Sequence, residues 1–146
     1  MSPDAAGGSL PHPPFPAPLR EFAEQWGRGE FWESHETLEA PWRLGRSPFY
    51  QGLILLASAW VHVRRGNPRG VASQLRKAER RLGAYRPAYL GVDVDALLAH
   101  AERLAAAVAA DPADPRAWER AAPPPPLRLD PARLRGDEPE RSLPAP

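Results

Sequence analysis

The stretch FWESHETLEAPW, residues 31–42, sets one histidine and three glutamates among large aromatic side chains. On a helix, His35 and Glu39 stand one turn apart on the same face, an imidazole beside a carboxylate. In apolar surroundings such a pair has to be hydrogen-bonded, metal-bound or neutralised, because either group alone is expensive to bury. HETLE, residues 35–39, is the zinc-ligating spacing HExxH with a glutamate in place of the second histidine. His35, Glu39 and His62 then make a candidate ligand set of two histidines and one carboxylate for a divalent metal such as zinc, and Glu36 is the candidate to act on a metal-bound water in hydrolysis. The same residues also support a plainer expectation. His35, Glu39, Gln51, Ser58 and His62 form a buried hydrogen-bond network, or a small-ligand pocket with Trp32 and Trp42 on its walls, and no metal is needed.

Both expectations depend on the helices that carry these residues. At about 100° per residue, Phe31, His35, Leu38 and Trp42 fall in one arc, with Glu39 and Trp32 at its edge, so the histidine is expected inside an apolar stripe. Pro41 is expected to end or kink this helix near Ala40. The next segment, from a Ser47 cap and Pro48 to about Arg65, is apolar nearly all round and belongs at the centre of a bundle. Gln51, Ser58 and His62 interrupt it as one thin polar stripe. The expectation is that this stripe meets His35 and Glu39, which places a polar pocket between the second and third helices.

The remaining periodicities are helical. Leu19, Phe22, Ala23 and Trp26 give a first amphipathic helix closed by Gly27 and Gly29. Asn67 and Pro68 open a fourth, with Val71, Leu75, Ala78 and Leu82 on its apolar face, and Gly83 ends it. Asp93 caps a fifth with the stripe Leu97, Ala101, Leu104 and Val108. No strand is evident. An all-α, compact bundle of about five mostly antiparallel helices is the economical architecture. Its predicted core holds Phe31, Leu38, Leu53, Leu55, Leu56, Trp60, Leu75 and Leu82.

Composition sets the boundaries. The chain has 146 residues, 42% hydrophobic and 25% charged, enough for one domain of ordinary size. Most of its 20 prolines lie near the two ends. Residues 1–18 and 111–146 are therefore expected to be proline-rich, largely disordered tails flanking a helical domain at 19–110, although Asp114, Pro115 and Trp118 have the makings of one capped turn that packs back. A net charge of +1 disfavours a protein devoted to nucleic acid. Arg64, Arg65, Arg69, Arg76, Lys77, Arg80 and Arg81 nonetheless offer a basic face, interrupted by Glu79, as an alternative weak nucleic-acid or protein-interaction surface. There is no cysteine, no visible secretory signal and no apolar run of membrane-spanning length, which together suggest a soluble cytoplasmic protein, monomeric or a small homo-oligomer.

FAEQWGRGEFWESHETLEAPW, then FYQGLILLASAWVHVRRGNPRG and YLGVDVDALL, resemble in that order the bacterial and archaeal family known as domain of unknown function 309. The resemblance runs from about Leu19 to Val108. It implies a small helical bundle whose hallmark is a histidine, a glutamate four later and a tryptophan three after that, here His35, Glu39 and Trp42. It also implies a suspicion of metal binding at that pattern. It carries a fold and a site but no reaction, so whether the protein is an enzyme stays open.

Overall fold

The computed structural model describes residues 15–142. Among them are six α-helices: α1 (Ala17–Gly27), α2 (Phe31–Gly45), α3 (Pro48–Arg64), α4 (Pro68–Leu82), α5 (Val94–Ala110) and α6 (Pro115–Ala121). The all-α bundle is the one that the periodicities predict. Short connections keep neighbours in sequence adjacent in space: α3 packs between α2 and α4, α1 packs on α2, and α5 packs on α4.

Local chemistry explains the boundaries. The Ser47 hydroxyl accepts from the Tyr50 amide at 3.1 Å and Asn67 from the Gly70 amide at 3.0 Å, each followed by a proline at the first helical position. Asp93 caps α5 and Asp114 caps α6 in the same manner. α3 is buried along most of its length, and Leu53, Leu56 and Trp60 lie at its inner face with Phe31, Leu38, Leu75 and Leu82 from the neighbouring helices. Leu55, predicted among them, is only partly buried against this core. Gly52 lets α4 come close, since a Cβ there would run into Leu82.

Two local expectations need correction. α2 does not stop at Pro41 but continues to Gly45, with Pro41 buried inside it and Arg46 closing it in left-handed geometry at φ 55°. Proline removes only its own amide donor, and packing of the buried face outweighs that single lost bond. Gly83 ends α4 as expected, with φ −56°, and opens a 3-10 turn, Gly83–Tyr85. A small hairpin follows, in which β1 (Ala88–Tyr89) pairs antiparallel with β2 (Val92–Asp93) across Leu90 and Gly91. Those two residues have φ of 51° and 83°, the geometry a two-residue hairpin turn demands.

The larger correction concerns the C-terminal segment. Residues 1–14 and 143–146, where part of the tail expectation falls, lie outside the described residues. Within them, α6 buries Trp118 completely, and the indole donates to the Asp111 carbonyl at 2.6 Å, as the capped turn anticipates. The chain then continues as a strap. The Pro125 carbonyl accepts from the Trp26 indole at 2.8 Å, Leu127 is buried, and Leu129 and Leu134 pack on the core. Asp130 and Arg133 exchange backbone hydrogen bonds with Gly91 at the hairpin tip, 2.9 and 3.2 Å. Proline-rich composition argues against helix and sheet, yet it leaves an extended chain free to lie on a preformed surface.

Candidate functional site

The buried stripe of α2 is Phe31, Ser34, Leu38 and Pro41. Ser34 satisfies its hydroxyl by donating to the Phe31 carbonyl at 2.9 Å, so it enters the core without a distant partner. The buried face is thus rotated from the expected arc. His35 and Trp42 come to lie on the shoulder of the stripe, partly buried, and Glu39 lies beside them.

On that shoulder, His35 Nε2 and Glu39 Oε2 are 3.8 Å apart, and Glu39 is also 3.7 Å from the Arg43 guanidinium. Trp32 stacks on His35 with ring centroids 5.4 Å apart and planes 23° from parallel. The Arg65 guanidinium, from the end of α3, sits 5.9 Å over the Trp32 ring. Trp32 is 49% exposed, a large value for tryptophan and one of two such exposures among the described large hydrophobics. Next to it, Gly29, Phe31, Val61 and Arg64 line an open hollow of about 280 Å³. Arg64 stacks over Phe31 at 5.2 Å and reaches Glu119 at 3.6 Å. No carboxylate among the described residues lies within ion-pair distance of Arg65. Farther along the shoulder, Trp42 carries the Arg46 guanidinium 4.8 Å above its ring. His35 Nδ1 is buried and has no hydrogen-bond partner among the described residues.

The expected meeting of α2 with the polar stripe of α3 does not occur. Gln51 accepts from Arg81 at 2.8 Å, Ser58 accepts from Gln74 at 2.8 Å, and His62 Nδ1 lies 3.2 Å from the Asn67 amide, with its ring against Gly70. Arg81, Gln74 and Gly70 belong to α4, and Asn67 is its cap. The stripe is thus a polar seam between α3 and α4, on the other side of α3 from the motif helix. Burial and Arg65 hold the His62 imidazole below its ordinary pKa. Among the described residues no group of three His, Asp or Glu side chains is close enough to hold a metal ion. The residues present therefore do not fit the three-ligand set His35, Glu39 and His62, and Glu36 is exposed to solvent. The basic face of α4 is likewise spent in part: Arg81 serves Gln51.

Residues 19–74 match the family model of a domain of unknown function, DUF309. That stretch is similar to DUF309 domains. It runs from α1 into the middle of α4, shorter than the resemblance read from the motifs, and it holds the whole α2 shoulder. No curated protein and no solved structure matches the chain.

Sequence reasoning missed two polar features. The first is His100 on α5, fully buried, whose Nε2 accepts from the Trp60 indole at 3.0 Å with the two rings stacked 5.7 Å apart. Burial, with Arg103 adding repulsion, lowers its pKa from 6.5 to about 4, so the ring is neutral. Its position three residues after Leu97 and four before Leu104 on the apolar stripe was the signal. The second is a pair of buried glutamates in the strap, Glu138 and Glu140, for which proline-rich composition gives no cue.

Proposed function

We propose that the DUF309-like domain of this chain is a binding module, and that its recognition face is the α2 shoulder of Trp32, His35, Glu39 and Trp42, completed by Arg65. The observation that carries the proposal is the half-exposed Trp32 ring, held between His35 and a guanidinium that has no carboxylate partner among the described residues. An aromatic face fixed by stacking accepts a flat apolar group at little entropic cost, and an unpaired arginine beside it favours an anion. The ligand class is therefore a small molecule with a planar apolar body and a carboxylate. Hydrolysis is the less supported alternative, since Glu36 stands away from the His35–Glu39 pair and only two donors approach each other. The cytoplasm is the compartment we infer, on the absence of cysteine, and no helix among the described residues is long and apolar enough to cross a membrane.

The test is a titration of uniformly labelled protein with 2-naphthoate, read on the indole N–H resonances of its 5 tryptophans. Selective movement of the Trp32 resonance is expected, and it should be lost in Trp32→Ala and in Arg65→Gln. Uniform or absent movement overturns the proposal. A parallel titration with zinc addresses the metal alternative: saturable shifts at His35, abolished by Glu39→Gln, would favour it over the aromatic anion.

A further inference from the structure

Two carboxylates in the strap are buried where charge is costly, and each is met by a built set of donors. Glu138 is 4% exposed and accepts from three backbone amides, those of Leu90 and Arg135 at 2.9 Å and of Gly136 at 2.8 Å. Glu140 is 3% exposed and accepts from the Tyr89 hydroxyl at 2.7 Å and from the Ser47 hydroxyl at 2.5 Å. Ser47 is the cap of the 17-residue helix α3, so the carboxylate also lies at the positive end of a long helix. Phe49, Tyr85 and Tyr89 stand together there, with ring centroids 4.5 to 5.3 Å apart. Arg135 braces the strap by donating to the carbonyls of Ala88, Tyr85 and Arg86.

The Glu140 donors belong to the helical domain, and Ser47 lies inside the DUF309 match, whereas the strap lies beyond it. We propose that the start of α3 and the hairpin form a peptide-binding site for a Glu-x-Glu segment, with Ser47 and Tyr89 reading the second carboxylate and the hairpin backbone helping to hold the first, and that the chain's own Glu138-Pro139-Glu140 fills this site in cis. The strap is then a displaceable internal ligand, and an acidic peptide of a partner takes its place when it lifts. The mode is that of a short extended peptide docking by main-chain bonds and two side-chain anchors. Burial and the neighbouring Glu140 keep the Tyr89 hydroxyl protonated well above its ordinary range, so it remains a donor at any physiological pH.

The experiment uses the full chain with Glu138→Gln and Glu140→Gln together, and a fluorescein-labelled peptide of residues 130–142 as probe. Trypsin should cut after Arg133, Arg135 and Arg141 much faster in the variant than in the wild type. The peptide should bind the variant saturably and the wild type at least about tenfold more weakly, the scale of one charge-assisted hydrogen bond. A peptide carrying Glu140→Gln should lose about the same factor. Equal binding to wild type and variant, no dependence on the peptide's glutamate, or unchanged trypsin resistance in the variant would each overturn the proposal. Should the double variant fail to fold, Ser47→Ala with Tyr89→Phe replaces it: the strap is then expected to become trypsin-sensitive and the peptide to stay unbound, and a protected strap or a bound peptide overturns the site.

Discussion

Two histidines in this molecule stack on tryptophans, and the two pairs sit in opposite environments. Trp60 and His100 are both fully buried, nearly parallel at 10°, and joined by a hydrogen bond from indole to imidazole. Trp32 and His35 are tilted by 23°, open to solvent on the tryptophan side, and have no hydrogen bond to each other. Each histidine has a buried Nδ1 without a partner among the described residues. In the interior pair the ring contact and the hydrogen bond lock α3 to α5, and the orphaned nitrogen is a cost that packing offsets. In the surface pair the His35 ring and the Arg65 guanidinium hold the indole while about half of its surface stays in water. Ring contact of one kind thus serves cohesion in one place and recognition in the other, and exposure decides which.

The strongest way to break the comparison is to remove each histidine. His100→Ala should cost about 3 to 5 kcal/mol, because it opens a cavity in the core and strands the buried Trp60 N–H. His35→Ala removes a partly exposed ring and should cost about 1 kcal/mol or less. Denaturant midpoints measure both, and equal losses would erase the distinction between the pairs.

Acid should expose the same asymmetry. His100 has a folded pKa of about 4 against an ordinary 6.5, so between these values the unfolded chain binds a proton that the folded chain refuses. Stability is accordingly complete above about pH 6.5 and falls as the pH drops toward 4, by about 3 kcal/mol in total. His62, also lowered, contributes in the same direction and more weakly because it is partly exposed. Burial pushes the Glu138 carboxyl up, but the amides of Arg135, Glu138 itself, Gly136 and Leu90 outweigh it and hold it below its ordinary value, so its share is present above that value and is lost at still lower pH. His100→Gln should remove most of the slope between pH 6.5 and 4; an unchanged slope would place its origin elsewhere.

The strap ranks next. Deleting residues 127–146 uncovers the Leu127 contact and leaves Ser47 and Tyr89 without Glu140, which should lower stability by about 2 kcal/mol or more, seen as a drop in Tm. An unchanged Tm is what the composition of this segment alone would predict.

That contrast shows where sequence patterning is informative. Helix existence was legible, because the caps Ser47, Asn67 and Asp93 and the stripes of α4 and α5 act within a few residues of themselves. Their apolar faces are the ones buried. The candidate site was legible only in part. His35, Glu39 and Trp42 do share a helix face, but the partners of Gln51, Ser58 and His62 depend on which neighbour α3 turns them toward, and periodicity gives a phase along one helix without naming the helix opposite. The buried face of α2 runs through Ser34, whose hydroxyl is satisfied on the Phe31 carbonyl, rather than through His35. The strap was illegible for a related reason: Glu140 is held by the Tyr89 and Ser47 hydroxyls and Glu138 in part by the Leu90 amide, all distant in sequence, and no local pattern records such a partner.

The smallest effect on stability is expected at Trp32, and it is also the most diagnostic. Truncating a tryptophan in a core ordinarily costs several kcal/mol, but at Trp32 about half of the surface is already in water and its contacts are a partly exposed histidine and an arginine. Trp32→Ala should therefore change stability by less than about 1 kcal/mol while removing one face of the recognition site. Trp60→Ala should behave in the opposite way, since its indole supplies the His100 hydrogen bond and the Phe31 ring lies 5.4 Å from it. Urea denaturation of the two variants side by side gives the comparison. A Trp32→Ala loss as large as that of Trp60→Ala would mean that the α2 shoulder is a piece of the core, and the exposed ring would then need no ligand to explain it.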